Sequence, residues 1–221
     1  MANVTGVSDM VGSTEGRGRG ESSTREASDG RTARSQRTRD SVVEALLDLL
    51  NAGNPRPTAR EIAERAGVSL RSVYVHFDDL EDLFLAAARR HLERILPLLQ
   101  KVPDTGPFSD RLTAFTDRQG RLLEAIGPVQ LASNLQEPFS PTIATIGVAV
   151  RAAAHKELER VFGVELDGRE AATRRRLLVA LELASSYNAW NVMRCREHFD
   201  ENEARTAMRE TLSALLSRES V

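Results

Sequence analysis

Twenty residues, 58–77, carry two helix starts and one helix stop, and few folds accommodate that spacing. Thr58 stands three residues before Glu61, the arrangement in which a hydroxyl and a carboxylate satisfy each other's orphan amides at a first helical turn. The helix begun there spans 58–66 and meets Gly67, a residue that takes the left-handed conformation of a helix end without steric cost. Ser69 can cap a second helix that reaches Phe77. Ala63 is small where the two helices cross closely, and Ile62 and Val73 supply the apolar contact that fixes the pair. The pattern is a helix-turn-helix. On spacing alone it fits both a nucleic-acid reader and a generic helical hairpin.

The surrounding residues continue the helical period. Val43, Leu46, Leu47 and Leu50 repeat at i, i+3, i+4 and i+7, and Gly53 with Pro55-Arg56-Pro57 stops that helix. Asp78, Asp79, Glu81 and Asp82 match the positive end of a further helix, whose apolar face includes Leu80, Leu83, Phe84 and Ala87 and which reaches Leu96 or beyond. After a loop over 102–108, helices are predicted at 109–126, 128–136, 141–162, 169–198 and 201–218, with breaks at 138–141 and 163–168. No stretch alternates as a strand does, aromatics make up only 5% of the chain, and no internal repeat occurs. The predicted fold class is all-α. Residues 1–31 hold six of the 14 glycines among many Ser and Thr, without apolar periodicity, and read as a disordered tail, with order beginning near 32–39. Gly16-Arg17-Gly18-Arg19-Gly20 follows no strand and opens no helix, so it is not a dinucleotide loop.

The run Thr58-Ala-Arg-Glu-Ile-Ala-Glu-Arg-Ala-Gly-Val-Ser69, followed by Val73-Tyr74-Val75-His76-Phe77, resembles the DNA-binding domain of TetR-family transcriptional regulators. The resemblance covers 39–83 in detail and the rest of the chain only in architecture. It implies three domains: a tail over 1–31, a three-helix reader over 32–78, and a larger helical effector-binding and dimerisation domain over 79–221. It also implies a double-stranded DNA operator as partner. The second helix of the motif then enters the major groove, with Ser69, Leu70, Arg71 and Ser72 near base edges and Arg71 suited to a bidentate bond with guanine. Tyr74 and His76 resemble the family's phosphate-contacting pair, Thr58 offers hydroxyl and amide to another phosphate, and Arg37 and Arg39 reach the backbone. Phe77 is assigned to the core. One departure is Leu80, which stands among four acids where many members have a phosphate-binding lysine.

Charge bears on the same question. The whole chain carries a net charge of −2, which alone argues against a nucleic-acid partner, but the total conceals segregation. Over 31–76 eight arginines face five acids, whereas both flanking segments are acidic.

In the larger domain the resemblance implies a small-molecule effector and a homodimer through the last two helices, with Leu212, Leu215 and Leu216 on one stripe and Leu177, Leu181 and Ala184 on another. Such stripes serve equally to pack one chain. Phe115, Gln119 and Leu122 share a helical face, as do Glu182, Ser186 and Trp190; polar groups on apolar faces make these the candidate effector contacts. Cys195 and His198 lack an obvious third metal ligand, and no metal or cofactor is expected. No Gly-x-Ser-x-Gly, His-Glu-x-x-His or Walker-type loop occurs, which argues against an enzyme. A helical adaptor that binds a protein partner is the competing reading. One cysteine and no apolar run long enough for a membrane span fit a cytoplasmic protein.

Overall fold

The computed structural model describes residues 21–217. Among the described residues nine α-helices and short 3₁₀ turns account for the regular structure, and there is no strand. The helices are α1 (Glu21–Asn51), α2 (Ala59–Ala66), α3 (Leu70–His76), α4 (Leu80–Ile95), α5 (Phe108–Gln136), α6 (Pro141–Leu166), α7 (Ala171–Ala184), α8 (Tyr187–Cys195) and α9 (Glu201–Ser217). The chain divides into two compact units after Asp40.

In the first unit the expected tail lies partly outside the described residues, at 1–20, and the backbone from Glu21 is helical. No proline interrupts 21–51, and a helix nucleated in its apolar C-terminal half propagates with one hydrogen bond per added residue, which lets it cross Gly30. Local side-chain bonds follow the helix: Arg37 Nε donates to the Ala33 carbonyl (3.2 Å) and Thr38 Oγ1 to that of Arg34 (3.1 Å).

The second unit holds two apolar cores. The first packs Val42, Val43, Leu46, Leu47 and Leu50 of α1 against Ile62 and Ala63 of α2, Val73 of α3, Phe77, and Leu83 and Ala87 of α4, with Ala132 of α5 closing it. Full burial of side chains such as Leu46 or Phe77 contributes roughly 1.5–3 kcal/mol each before chain entropy is counted. The second core joins α5 to α9 around Phe115, Leu158, Phe162, Leu181, Trp190, Met208 and Leu212. Arg111 ties α5 to α6 from inside: almost fully buried, it donates to the Gly106 carbonyl (3.1 Å), the Val161 carbonyl and the Glu165 carboxylate (3.0 Å to Oε2).

Three boundaries differ from the sequence expectation. α5 runs unbroken through Pro128, because Leu123 before it and Ala132 beyond it are each anchored in a core. α6 continues to Leu166 through a kink at Phe162 (φ −113°, ψ 20°), and Gly168 (φ 76°) begins the turn to α7. The helix expected over 169–198 is two helices. Ser185 Oγ donates to the Leu181 carbonyl (2.8 Å), and Ser186 restarts the chain by accepting from the Ala189 amide (3.2 Å), so hydroxyls replace the continuing backbone ladder.

The leucine stripes are also spent internally. Leu177, Leu181, Leu212 and Leu216 are buried within the single chain, with Leu215 and Ala184 packed against the same core. Exposed aliphatics lie elsewhere, at Ile146, Val148 and Val150 of α6 and Val179 and Leu183 of α7.

Candidate nucleic-acid interface

The motif folds as its local chemistry dictates. The Glu61 amide donates to Thr58 Oγ1 (3.3 Å), and the Thr58 amide donates back to Glu61 Oε2 (2.7 Å), closing the capping box at the start of α2. That backbone bond, with a second from the Thr58 hydroxyl and one from Asn54, holds the Glu61 carboxyl below its ordinary range. Gly67 ends α2 at φ 67°, ψ 31°, and the Val68 amide returns to the Ala63 carbonyl (3.0 Å). Ser69 caps α3 by accepting from the Ser72 amide (3.1 Å), and the two serine hydroxyls lie 2.9 Å apart.

Helical phase decides what α3 presents. Val73 is buried and Phe77, four residues on, is 2% exposed, so this stripe faces the first core. Arg71 and Val75 lie about 160° from Val73 around the helix at 100° per residue, which aims both away from the protein. Arg71 is exposed, Val75 is 68% exposed, and Leu70 and Tyr74 flank them at 40% and 52%. Ser72 and His76 are half-buried on the other flank. Ser69 and Thr58 are exposed at the starts of α3 and α2. The structure thus brings Thr58, Ser69, Leu70, Arg71, Ser72, Tyr74 and His76 onto one short motif. Arg37 and Arg39 belong to the first unit. Val75, given no role by the sequence reading, is the most exposed apolar side chain of the motif; its offset from Val73 was the available signal.

Leu80 has a structural reason. It is half-buried at the start of α4 and packs on the first core, a place a lysine ammonium would not occupy unpaired. Its acidic neighbours are engaged too: Asp79 caps α4 by accepting from the Asp82 amide (2.8 Å), and Glu81 accepts from Ser140 Oγ (2.7 Å). α4 is further paired to α1 through Glu44, which contacts Arg94 and, at 3.7 Å, Arg90.

The charge of the motif itself is even. Within 41–76 four arginines meet four acids, and the positive excess read from the sequence resides entirely in 31–40, with Arg31, Arg34, Arg37 and Arg39 against Asp40.

The candidate effector residues are distributed over the second core. Phe115 and Trp190 are buried there, and Leu122 is half-buried. Gln119 Nε2 donates to the Ser185 carbonyl (2.8 Å), Trp190 Nε1 to Glu124 Oε1 (2.7 Å), and Glu182 pairs with His155 (2.7 Å). Ser186 caps α8. None of these six lines either of two surface cavities, one of about 510 Å³ between α6 and α7 and one of about 270 Å³ beside α5. Among the described residues no cluster of three or more metal-ligating side chains occurs, and no helix is long and apolar enough to cross a membrane.

A capped helix-turn-helix with an outward arginine, mounted on an all-helical body, defines the class: a helix-turn-helix protein of two-core helical architecture. Residues 42–87 match the family model described as bacterial regulatory proteins, tetR family. No curated protein matches. Among solved structures, a transcriptional regulator from Rhodococcus sp. Rha1 is similar at 20% identity and a TM-score of 0.60, over 82% of this chain and 95% of that one. The multidrug binding protein EbrR, complexed with imidazole, is similar at 17% identity and a TM-score of 0.55, over 85% and 97%. These likenesses show a shared fold that extends well beyond the matched domain.

Proposed function

We propose that the protein is a homodimeric, ligand-responsive transcriptional repressor that reads a near-palindromic operator and leaves it when a small molecule binds the helical body. The observation that carries this reading is α3, whose buried face is locked by Val73 and Phe77 while Arg71, flanked by Leu70 and Tyr74, projects outward. Two such helices about 34–36 Å apart read successive major grooves.

The second copy has a surface to meet. The first half of α6, 142–153, contains a single charged residue, Arg151, and is apolar on every side, a composition that normally belongs to a buried helix. It nevertheless exposes Ile146, Val148 and Val150, and the neighbouring α7 exposes Val179 and Leu183. Ile146 and Val150, at i and i+4, share one side of α6, as Val179 and Leu183 do of α7, and these sides give a second copy an apolar surface to cover. A second copy covering this face completes a four-helix bundle. Phe115, Gln119, Leu122, Glu182, Ser186 and Trp190 stand as the proposed effector contacts, and a ligand entering among them displaces the bond between Gln119 and Ser185. α4 follows the motif directly and shares buried side chains with its core, so it transmits the change.

The test is selection of double-stranded DNA from a randomised pool at low salt, followed by binding measured by fluorescence anisotropy. Enrichment of two half-sites with centres about 10 base pairs or a multiple apart is the expected result. Enrichment of no sequence overturns the reading.

A further inference from the structure

The smaller cavity beside α5 holds more positive charge than its surroundings balance. Pro97, Leu98 and Val102, from the segment after α4, bound it together with Lys101, Arg118 and Arg121, and no acidic side chain lines it. Arg118 is 12% exposed at the side chain, with its guanidinium 5.4 Å from the Phe115 ring centroid. Its one close carboxylate, Glu157, lies 3.3 Å away and is held more tightly by Arg160 through two bonds of 2.9 Å. Arg160 also reaches Asp104 at 3.0 Å. Three cations thus share a wall that holds no carboxylate, and the buried Nε of Arg118 has no hydrogen-bond acceptor. Burial depresses the Arg118 guanidinium below its ordinary value, with Glu157 pulling the other way, as expected of a cation short of counter-charge.

We propose that this groove binds a small organic carboxylate. Arg118, Arg121 and Lys101 take the oxyanion, and a short apolar body lies against Pro97, Leu98 and Val102. A guanidinium fork matches a carboxylate in geometry as well as charge. The apolar wall favours a ligand with a hydrocarbon body over a bare inorganic anion. The volume of about 270 Å³ lies at the small end of ligand sites, which typically run about 300–1,000 Å³. The site adjoins the proposed effector contact Phe115, over whose ring Arg118 lies, and its occupancy is measured without DNA, so its failure is distinguishable from a failure of DNA reading.

Isothermal titration calorimetry of the full chain with octanoate tests this, with octan-1-ol and inorganic phosphate titrated in parallel. The variant carries Lys101→Ala and Arg121→Ala, both at exposed positions, and its melting curve is recorded beside that of the parent. Octanoate is expected to bind once per chain, with the alcohol and phosphate weaker by about tenfold or more, and the double variant weaker for octanoate by a similar factor at unchanged melting temperature. The proposal is overturned if octanoate fails to bind, if either control binds as well, or if the variant binds octanoate like the parent.

Discussion

Arg71 is the side chain on which the proposed reading function rests, because nothing else on α3 combines charge, length and an outward aim. Its replacement by Ala removes no core contact, so the fold should persist while affinity for the selected operator falls by about 1–3 kcal/mol, roughly 5–150-fold. Anisotropy titrations beside a circular-dichroism melt check both halves of that expectation. The hydroxyls of Ser69 and Ser72 already satisfy each other, so a base-edge contact from either must replace a bond of 2.9 Å. His91 behaves differently. Burial first, then the Arg94 charge, lowers its pKa, the bond to the Ala125 carbonyl opposes them, and its Nε2 has no partner. The folded state therefore binds a proton less readily than the unfolded chain. Stability from this site is complete above about pH 6.5, the unfolded value, and declines as pH falls through that value toward the lower folded one. Denaturation midpoints measured between pH 8 and pH 5 should drop, and drop less in a His91→Gln variant; equal slopes would remove His91 from the account.

At the scale of elements, the proposed DNA binding makes separate predictions for the N-terminal arginines and for the motif. The motif over 41–76 is charge-neutral, and the excess of arginine lies in 31–40. Arg34→Gln with Arg37→Gln should therefore flatten the dependence of log affinity on log salt by up to about two units while sparing sequence preference. Titrations at several salt concentrations, on operator and scrambled DNA, decide it. How far the sequence was legible follows the range of the interactions involved. The capping box of Thr58 and Glu61, the left-handed Gly67 and the Ser69 cap close within a few residues, so their residues alone specify them. Pro128 sits inside a helix because two distant cores hold its flanks, and Ser185 with Ser186 splits another through hydroxyl bonds that composition does not announce. The leucines of α9 show the remaining ambiguity: an amphipathic stripe fixes which face is buried, not whether its own chain or a second copy covers it. Gln119 and Glu182 were legible as polar groups on apolar faces, but their partners, Ser185 and His155, lie dozens of residues away.

For the whole molecule, the proposed assembly rests on the apolar residues exposed on α6 and α7. Leu183→Arg, at a position 63% exposed, costs the single chain little and places a charge in the proposed interface. Light scattering after size exclusion should show the parent as a dimer and the variant shifted toward monomer, with operator affinity lost alongside; an unshifted dimer would put the interface elsewhere. The burial of Trp190 has an optical consequence. It is the chain's single tryptophan, and it is 2% exposed, with its indole N–H on Glu124 and its ring against Gly120, where an added Cβ would approach within 3.2 Å. Indole emission from this protein thus comes from one shielded chromophore in the helical body, while α2 and α3 are dark at that wavelength. Steady-state emission should be blue-shifted, resistant to aqueous quenchers, and unchanged by Arg71→Ala. The body can then be followed apart from the motif without attaching a label.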